Sequence, residues 1–205
     1  MRSVLVFIAG LMLLATCGCA RSSKGLVMSI SPSATADSLV YIADRAGTIR
    51  AISSDGKEQW SYKLADELKE NGVVPDLRID SLIARSGGAL YVLASNVTGS
   101  KAGTVELFSL NGNHMVWHRE VPKTQPGIHP IAVNSEEIYL AGEDGALYAL
   151  SRADGQLKWK FQVSQGPLGA PIVGTDGTVY VTGPGHNLHA IGPDGVEKWK
   201  LETRD

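Results

Sequence analysis

The chain has 205 residues, 43% of them hydrophobic and 20% charged, with 19 Lys+Arg set against 21 Asp+Glu. That near-neutral balance excludes a basic nucleic-acid surface, and the length allows one substantial core. The two cysteines stand at positions 17 and 19, so nothing beyond Cys19 can supply a disulfide, a thiolate metal ligand or a thiol nucleophile.

In chain order, Arg2 gives a positive start and Val4–Ala15 is an apolar run of 12 residues. A bilayer-spanning helix needs roughly 20 residues, so this run has the length of the apolar region of an export signal. "LATCGCA", Leu14 to Ala20, resembles the lipobox of bacterial lipoproteins, in which one Cys is acylated and becomes the mature N-terminus. Cys19 follows the small Gly18 and is the expected site; Cys17, after Thr16, is the alternative, and Thr16 departs from the Leu usual three places before Cys19. An ordinary cleaved signal that discards both cysteines is the other reading. The lipobox resemblance implies a signal peptide over 1–18 and a durable anchor of acyl chains. Ala20, not Asp, follows Cys19, which in a Gram-negative cell implies sorting to the outer membrane. Residues 19–25 are small and polar and predict a tether.

The rest of the chain repeats. "VYIADRAGTIRAISSDGKEQWSYKL" from Val40 aligns with segments starting at Leu90, Ile138 and Val179. Each opens on an aliphatic residue and a Tyr (Tyr41, Tyr91, Tyr139, Tyr180) and carries a late turn ending in Gly56, Gly112, Gly155 or Gly195. Each then places one Trp: Trp60, Trp117, Trp159 or Trp199, all four in the chain. Runs such as "IYLAG" and "ALYAL" are rich in strand formers, and the "EDG" and "ADG" between them are hairpin signals. "QLKWKFQV" alternates, with Leu157, Trp159, Phe161 and Val163 on one face. Apolar runs at 81–85, 129–133 and 170–174, and more weakly at 26–30, precede the segments. Each unit therefore predicts four short antiparallel strands, over about 26–64, 65–121, 122–163 and 164–203. Tyr-to-Tyr spacings of 50, 48 and 41 residues fall in or just above the range of propeller blades.

Tyr, then Gly-x-Leu-x-Ala-Leu, then Asp-Gly-x-x-x-Trp resembles the PQQ-like β-propeller repeat. "GALYALSRADGQLKWKF" (145–161) matches closely, while "GTVELFSLNGNHMVWHR" (103–119) has Leu107 in the Ala position. The resemblance implies an all-β fold, a small β-propeller of about four four-stranded antiparallel blades over 26–203. It leaves function broad, since the repeat serves quinoprotein dehydrogenases and the propeller subunit of the outer-membrane β-barrel assembly machinery alike. Propellers of this type usually have seven or eight blades. Four units can close a tight ring alone, pair as a homodimer that completes a larger ring, or remain an open fan; the closed small ring is the preferred expectation. The tryptophans are expected to be buried rivets between blades. A buried Trp covers about 150–250 Å², worth at most roughly 4–6 kcal/mol.

The residues argue against chemistry. A quinone cofactor would need a Trp floor and a Ca²⁺ site, and every Trp belongs to the repeat. Asp55, Asp154 and Asp194 sit in Asp-Gly turns, where Asp favours the turn itself. His114 and His118 are expected in a turn and a strand, His186 and His189 on opposite sides of a strand, and His129 alone before Pro130, so no metal set forms. No nucleophile elbow or phosphate loop is visible; "GPGH" at 183–186 lacks a strand–helix setting. The expectation is no catalytic residue, no cofactor and no metal. Two departures from the repeat stand out: Ala65–Asp80, with a short helix expected up to Asn71, and the enlarged turn Ser95–Gly103. Added loops on a rigid scaffold are favoured places for binding. The reading is an exported lipoprotein scaffold for envelope proteins, facing the periplasm from the outer membrane. A small-molecule or cell-wall sugar module is the alternative, and a quinone-dependent dehydrogenase comes last.

Overall fold

Period-2 alternation and Gly-containing turns at short intervals leave the backbone one economical solution, hairpin after hairpin. The computed structural model describes residues 33–34, 37–44, 47–121, 131–163, 165–185 and 187–202. The signal run, Cys17, Cys19, the tether, the 26–30 run, His129 and His186 lie outside the described residues.

The protein is an all-β propeller of four blades, each a four-stranded antiparallel meander. Blade one holds β1 (Ser33–Ala34), β2 (Leu39–Ala43), β3 (Thr48–Ser53) and β4 (Glu58–Lys63). Blade two holds β5 (Leu77–Ala84), β6 (Ala89–Asn96), β7 (Val105–Asn111) and β8 (His114–Glu120). Blade three holds β9 (Ile131–Val133), β10 (Glu137–Ala141), β11 (Ala146–Ser151) and β12 (Leu157–Gln162). Blade four holds β13 (Ile172–Val173), β14 (Val179–Gly183), β15 (Asn187–Ile191) and β16 (Glu197–Glu202). The first strands line up in series, β1 beside β5, β5 beside β9 and β9 beside β13.

Three details differ from expectation. The first strand of blade one is Ser33–Ala34, downstream of the 26–30 run. The helix expected up to Asn71 is a five-residue 3-10 turn, Leu64–Leu68. Lys69 is already extended, and Asn71 and Gly72 both take positive φ, so the segment turns into the Glu70–Val73 bridge instead of continuing. The third concerns alignment within blade two. In every blade the Tyr pairs across the sheet with a small residue, which pairs in turn with the Trp. The rows are Tyr41–Ala51–Trp60, Tyr91–Ser109–Trp117, Tyr139–Ala149–Trp159 and Tyr180–Ala190–Trp199. Ser109, not Leu107, thus fills the Ala position, because the hairpin of β6 and β7 is longer than its counterparts.

That row explains the repeat. A small central residue lets the rings on either side meet above it. Centroids lie 5.7 Å apart for Tyr41–Trp60, 5.9 Å for Tyr139–Trp159 and 5.8 Å for Tyr180–Trp199, tilted as aromatic pairs prefer. Next to each Trp the fourth strand carries a bulge, between Ala51/Ile52, Ser109/Leu110, Ala149/Leu150 and Ala190/Ile191 on the facing strand. The bulge adds twist and re-aims the indole toward the following blade.

Burial decides the question of closure. Three apolar clusters join blade one to two, two to three, and three to four. No such cluster joins blade four to blade one among the described residues. Blades two and three are sandwiched: β10 is buried at every position and β6 at all but its first. End blades are buried on one face only. In β2, Tyr41 and Ala43 are buried while Val40 and Ile42 are half-buried, and β16 is exposed throughout. Among the described residues the four blades therefore form an open arc rather than the closed small ring expected, with no apolar cluster joining blade four to blade one.

Candidate functional site

The tryptophans act between blades, from the outermost strands. Trp117 Nε1–H donates to the Arg152 carbonyl of blade three at 3.2 Å, and Trp159 Nε1–H to the Pro193 carbonyl of blade four at 2.9 Å. Beneath each ring lies the glycine of the next blade's Asp-Gly turn. A Cβ on Gly155 would stand 2.6 Å from the Trp117 ring, and one on Gly195 would stand 2.8 Å from Trp159. Both glycines also have positive φ, so each is required twice, for the turn and for the indole. Arg152 adds to the second junction, its guanidinium 5.7 Å over the Tyr91 ring. Blade two offers no such socket to Trp60, since Asn111 and His114 pair directly across a two-residue turn. None of the tryptophans is deeply buried: Trp60, Trp117 and Trp159 are half-buried and Trp199 is 44% exposed. On an outer strand one ring edge faces water, and the fully covered aromatics of the row are Tyr41 and Tyr139.

The turn carboxylates are occupied locally. Asp154 and Asp194 accept backbone N–H bonds from Gln156 and Val196, each at 3.2 Å, and Asp55 accepts from Ser53 at 2.5 Å. Asp144 accepts from Tyr148 at 2.5 Å, Lys160 at 3.1 Å and the Ala146 N–H at 3.1 Å. Partial burial pushes the Asp144 carboxyl up, but these bonds outweigh it and the net shift is downward. Thr178, through hydroxyl and backbone N–H, holds Asp176 at about 2. Folded-state values below the unfolded ones mean that these carboxylates stabilise the fold above pH 4 and lose that contribution as pH falls toward 2. The urea midpoint is therefore expected to fall between pH 5 and pH 3. Asp144→Asn should flatten the fall, and an unchanged slope in that variant would remove the assignment.

The histidines do not gather. His114 opens β8 rather than lying in the turn, and His118, farther along, stacks on Phe108 with centroids 5.8 Å apart. His118 Nδ1 is 3.6 Å from buried Glu106, which Lys101 also approaches at 3.4 Å. His189 is buried, with Nδ1 2.6 Å from Glu197 in its own blade. Among the described residues no group of three His, Cys, Asp or Glu could hold a metal ion. The quinone named by the repeat finds no fit: every indole sits on an outermost strand against its own Tyr or the next blade's turn, so none can floor a central channel.

Sequence reasoning saw two insertions but not that they meet. The Val97 N–H donates to the Asp76 carbonyl at 2.8 Å, the Asp76 N–H to Thr98 Oγ1 at 2.9 Å, and Ser100 Oγ to Glu70 at 2.5 Å. Segments 65–80 and 95–103 thus form one rim on blade two. They enclose a cleft of about 240 Å³ walled by Leu68, Glu70, Val73, Pro75, Asn96 and Lys101. Val73 stands 61% exposed on its wall, and Val97, in the same rim but outside the cleft lining, is 56% exposed. Asn96 is buried, and its Oδ1 has no hydrogen-bond partner. No local signal in either segment announces this; the bonds join residues 22 and 30 apart in sequence.

A family profile described as outer membrane protein assembly factor BamB matches residues 101–205. A curated relative of that description from Escherichia coli (strain K12) is 30% identical over 141 residues, 68% of this chain and 24% of the relative. One from Yersinia pestis is 25% identical over 164 residues, 79% of this chain and 29% of the relative. The chain spans about a quarter of the length of the curated relatives it matches. Among solved structures, BamB from Moraxella catarrhalis superposes with a TM-score of 0.56 at 18% identity, covering 86% of this chain and 53% of that one. A protein of unknown function from Bacteroides caccae gives 0.59 at 14% identity, covering 88% and 62%. BBS1N, solved in complex with ARL6DN, gives 0.57 at 19% identity, covering 80% and 50%. At such identities these structures share the fold alone.

Proposed function

Because the chain belongs to the family of the outer membrane protein assembly factor BamB, we propose that it is a non-catalytic scaffold for envelope proteins, working in outer-membrane protein assembly. Residues 1–18 are its signal peptide, Cys19 (or Cys17) its lipid anchor and 19–25 its tether, and the propeller faces the periplasm. The observation that carries the reading is the rim on blade two. Two segments outside the repeat are bonded together there, with exposed valines above a rigid support, which is where a protein partner finds apolar anchors ringed by polar groups.

A photo-cross-linking residue at position 97, placed in the full chain in its own envelope, is expected to capture a specific envelope protein. Val73→Asp should cut the yield at least ten-fold. Recovery of no envelope protein would overturn the scaffold. Mass spectrometry of the same membrane extract is expected to find acyl chains on the N-terminal Cys; a mature chain starting beyond Cys19 would remove the anchor.

A small-ligand module, for a metabolite or cell-wall sugar, is the second reading. It is favoured by one observation: Asn96, a residue of the cleft wall, keeps a buried Oδ1 with no hydrogen-bond partner. The cleft's 240 Å³ lies below the roughly 300–1,000 Å³ usual for such sites, so the protein-binding reading stands first. A quinone-dependent dehydrogenase is last, since the indoles are engaged elsewhere.

A further inference from the structure

Asn-Gly occurs twice in the chain, at Asn71–Gly72 and at Asn111–Gly112, and the fold treats the two pairs in opposite ways. The pair matters chemically because glycine has no Cβ to shield its backbone nitrogen from the side-chain amide carbon of the Asn before it. At Asn111 that nitrogen is held. Gly112 N–H donates to the Gly88 carbonyl at 2.9 Å, and Asn111 ends its strand paired with Ala89 on one side and His114 on the other. Its side chain is packed as well, since a Cβ on Gly88 would stand 3.2 Å from Asn111 Oδ1.

Asn71 and Gly72 have no such restraint. Both are exposed, and neither makes a hydrogen bond among the described residues. They are the central pair of a tight turn, closed by Glu70 N–H to the Val73 carbonyl at 3.1 Å and Val73 N–H to the Glu70 carbonyl at 2.8 Å. With φ of 50° and 83°, both take the left-handed conformation that makes Asn-Gly a favoured pair for two-residue hairpins. The requirement that selects Asn-Gly for the turn thus puts a reactive pair at an open tip. That tip belongs to the blade-two cleft, which Asn71 lines beside Glu70 and Val73. Glu70 in turn accepts the Ser100 hydroxyl that ties the two inserted segments together.

We propose that Asn71 is a site of spontaneous modification, a deamidation that adds negative charge to the rim of blade two and loosens it. The Gly72 nitrogen attacks Asn71 Cγ. The N–Cγ bond forms, the Cγ–Nδ2 bond breaks, and ammonia leaves with the Gly72 amide proton. Water then opens the succinimide ring at either carbonyl. One product is aspartate; the other is isoaspartate, with the backbone rerouted through Cβ and Cγ. No oxidant and no enzyme is required. Either product sets a carboxylate close to Glu70, where like charges repel. Isoaspartate also adds a backbone atom to a two-residue turn, so Glu70 and Val73 lose their pairing. The modification does not rest on the scaffold reading; only its value as a timer on partner binding does.

Full-length chain aged in mildly alkaline buffer, digested with trypsin and followed by mass spectrometry tests the site without any partner. Residues 70–78 carry Asn71 in one tryptic peptide, and residues 102–119 carry Asn111 in another. The amide-to-acid mass gain, placed by fragmentation, is expected at least ten-fold faster at Asn71 in the folded chain. Unfolding in urea frees both nitrogens, and the ratio should collapse. Equal rates in the folded chain would overturn the proposal, and so would a ratio that survives in urea, since neighbouring residues rather than the fold would then set it. Hydrogen exchange of aged against fresh chain is expected to quicken in residues 70–76 and 97–103 and to stay unchanged in 137–162. Asn71→Asp, which installs the charge at once, should quicken the same two segments in fresh protein. Unaltered exchange in both samples would remove the loosening of the rim.

Discussion

Gly155→Ala is expected to cost about 2–4 kcal/mol, an unusual amount for one methyl group on a surface turn. Two penalties act at once. At a φ of 72° an L side chain is strained, by roughly 1 kcal/mol or more. The new Cβ would also press to 2.6 Å from the Trp117 ring and 2.8 Å from Arg119, an overpacking cost of about 1–3 kcal/mol. Gly112→Ala is the control: φ is 57°, but nothing lies within 4 Å of the added atom, so only the first penalty remains. Urea unfolding of the two variants side by side gives the difference. Equal losses would mean that the Trp117 ring does not rest on that turn.

Phe108→Ala is expected to cost about 3–5 kcal/mol, a large part of the roughly 5–15 kcal/mol that holds a domain together. Phe108 is fully buried in the cluster that joins blades one and two, whereas Val116, nearby in blade two, is 56% exposed and should lose less than about 0.5 kcal/mol as Ala. The damage should also be local. Clusters in series couple each blade only to its neighbours. Hydrogen exchange is therefore expected to quicken most in strands 39–63 and 77–120 and least in 172–202. A uniform rise along the chain would show instead that the arc unfolds as one unit.

The blades were legible because every repeat must rebuild the same row. Tyr, a small residue and Trp recur where the sheet needs two rings to meet, and hairpin glycines recur where φ must be positive. Most of what was not legible depends on partners a whole repeat away. Gly155 serves Trp117, 38 residues earlier, rather than Trp159 beside it, and no local spacing reveals that. Burial of the tryptophans was overestimated because the pattern gives the face but not that the strand is outermost. Ser109 was displaced to Leu107 because anchoring on Gly103 ignored the longer hairpin. Ring closure was beyond reach for another reason: an inner and an outer blade carry the same residues, and only accessibility tells Tyr139 from Tyr180. The rim on blade two needed the fold itself, which brings Asp76 to Thr98.

The bulge beside each Trp has a consequence for life in a crowded compartment. β4, β8, β12 and β16 are the rims of their sheets, and a straight rim invites another chain to zip onto it as the seed of a fibril. One extra residue breaks the even ladder such zipping requires, and in β12 and β16 it is a lysine, Lys158 or Lys198, with Lys160 or Lys200 two positions on. The kink that aims an indole at the correct neighbour therefore also turns strangers away.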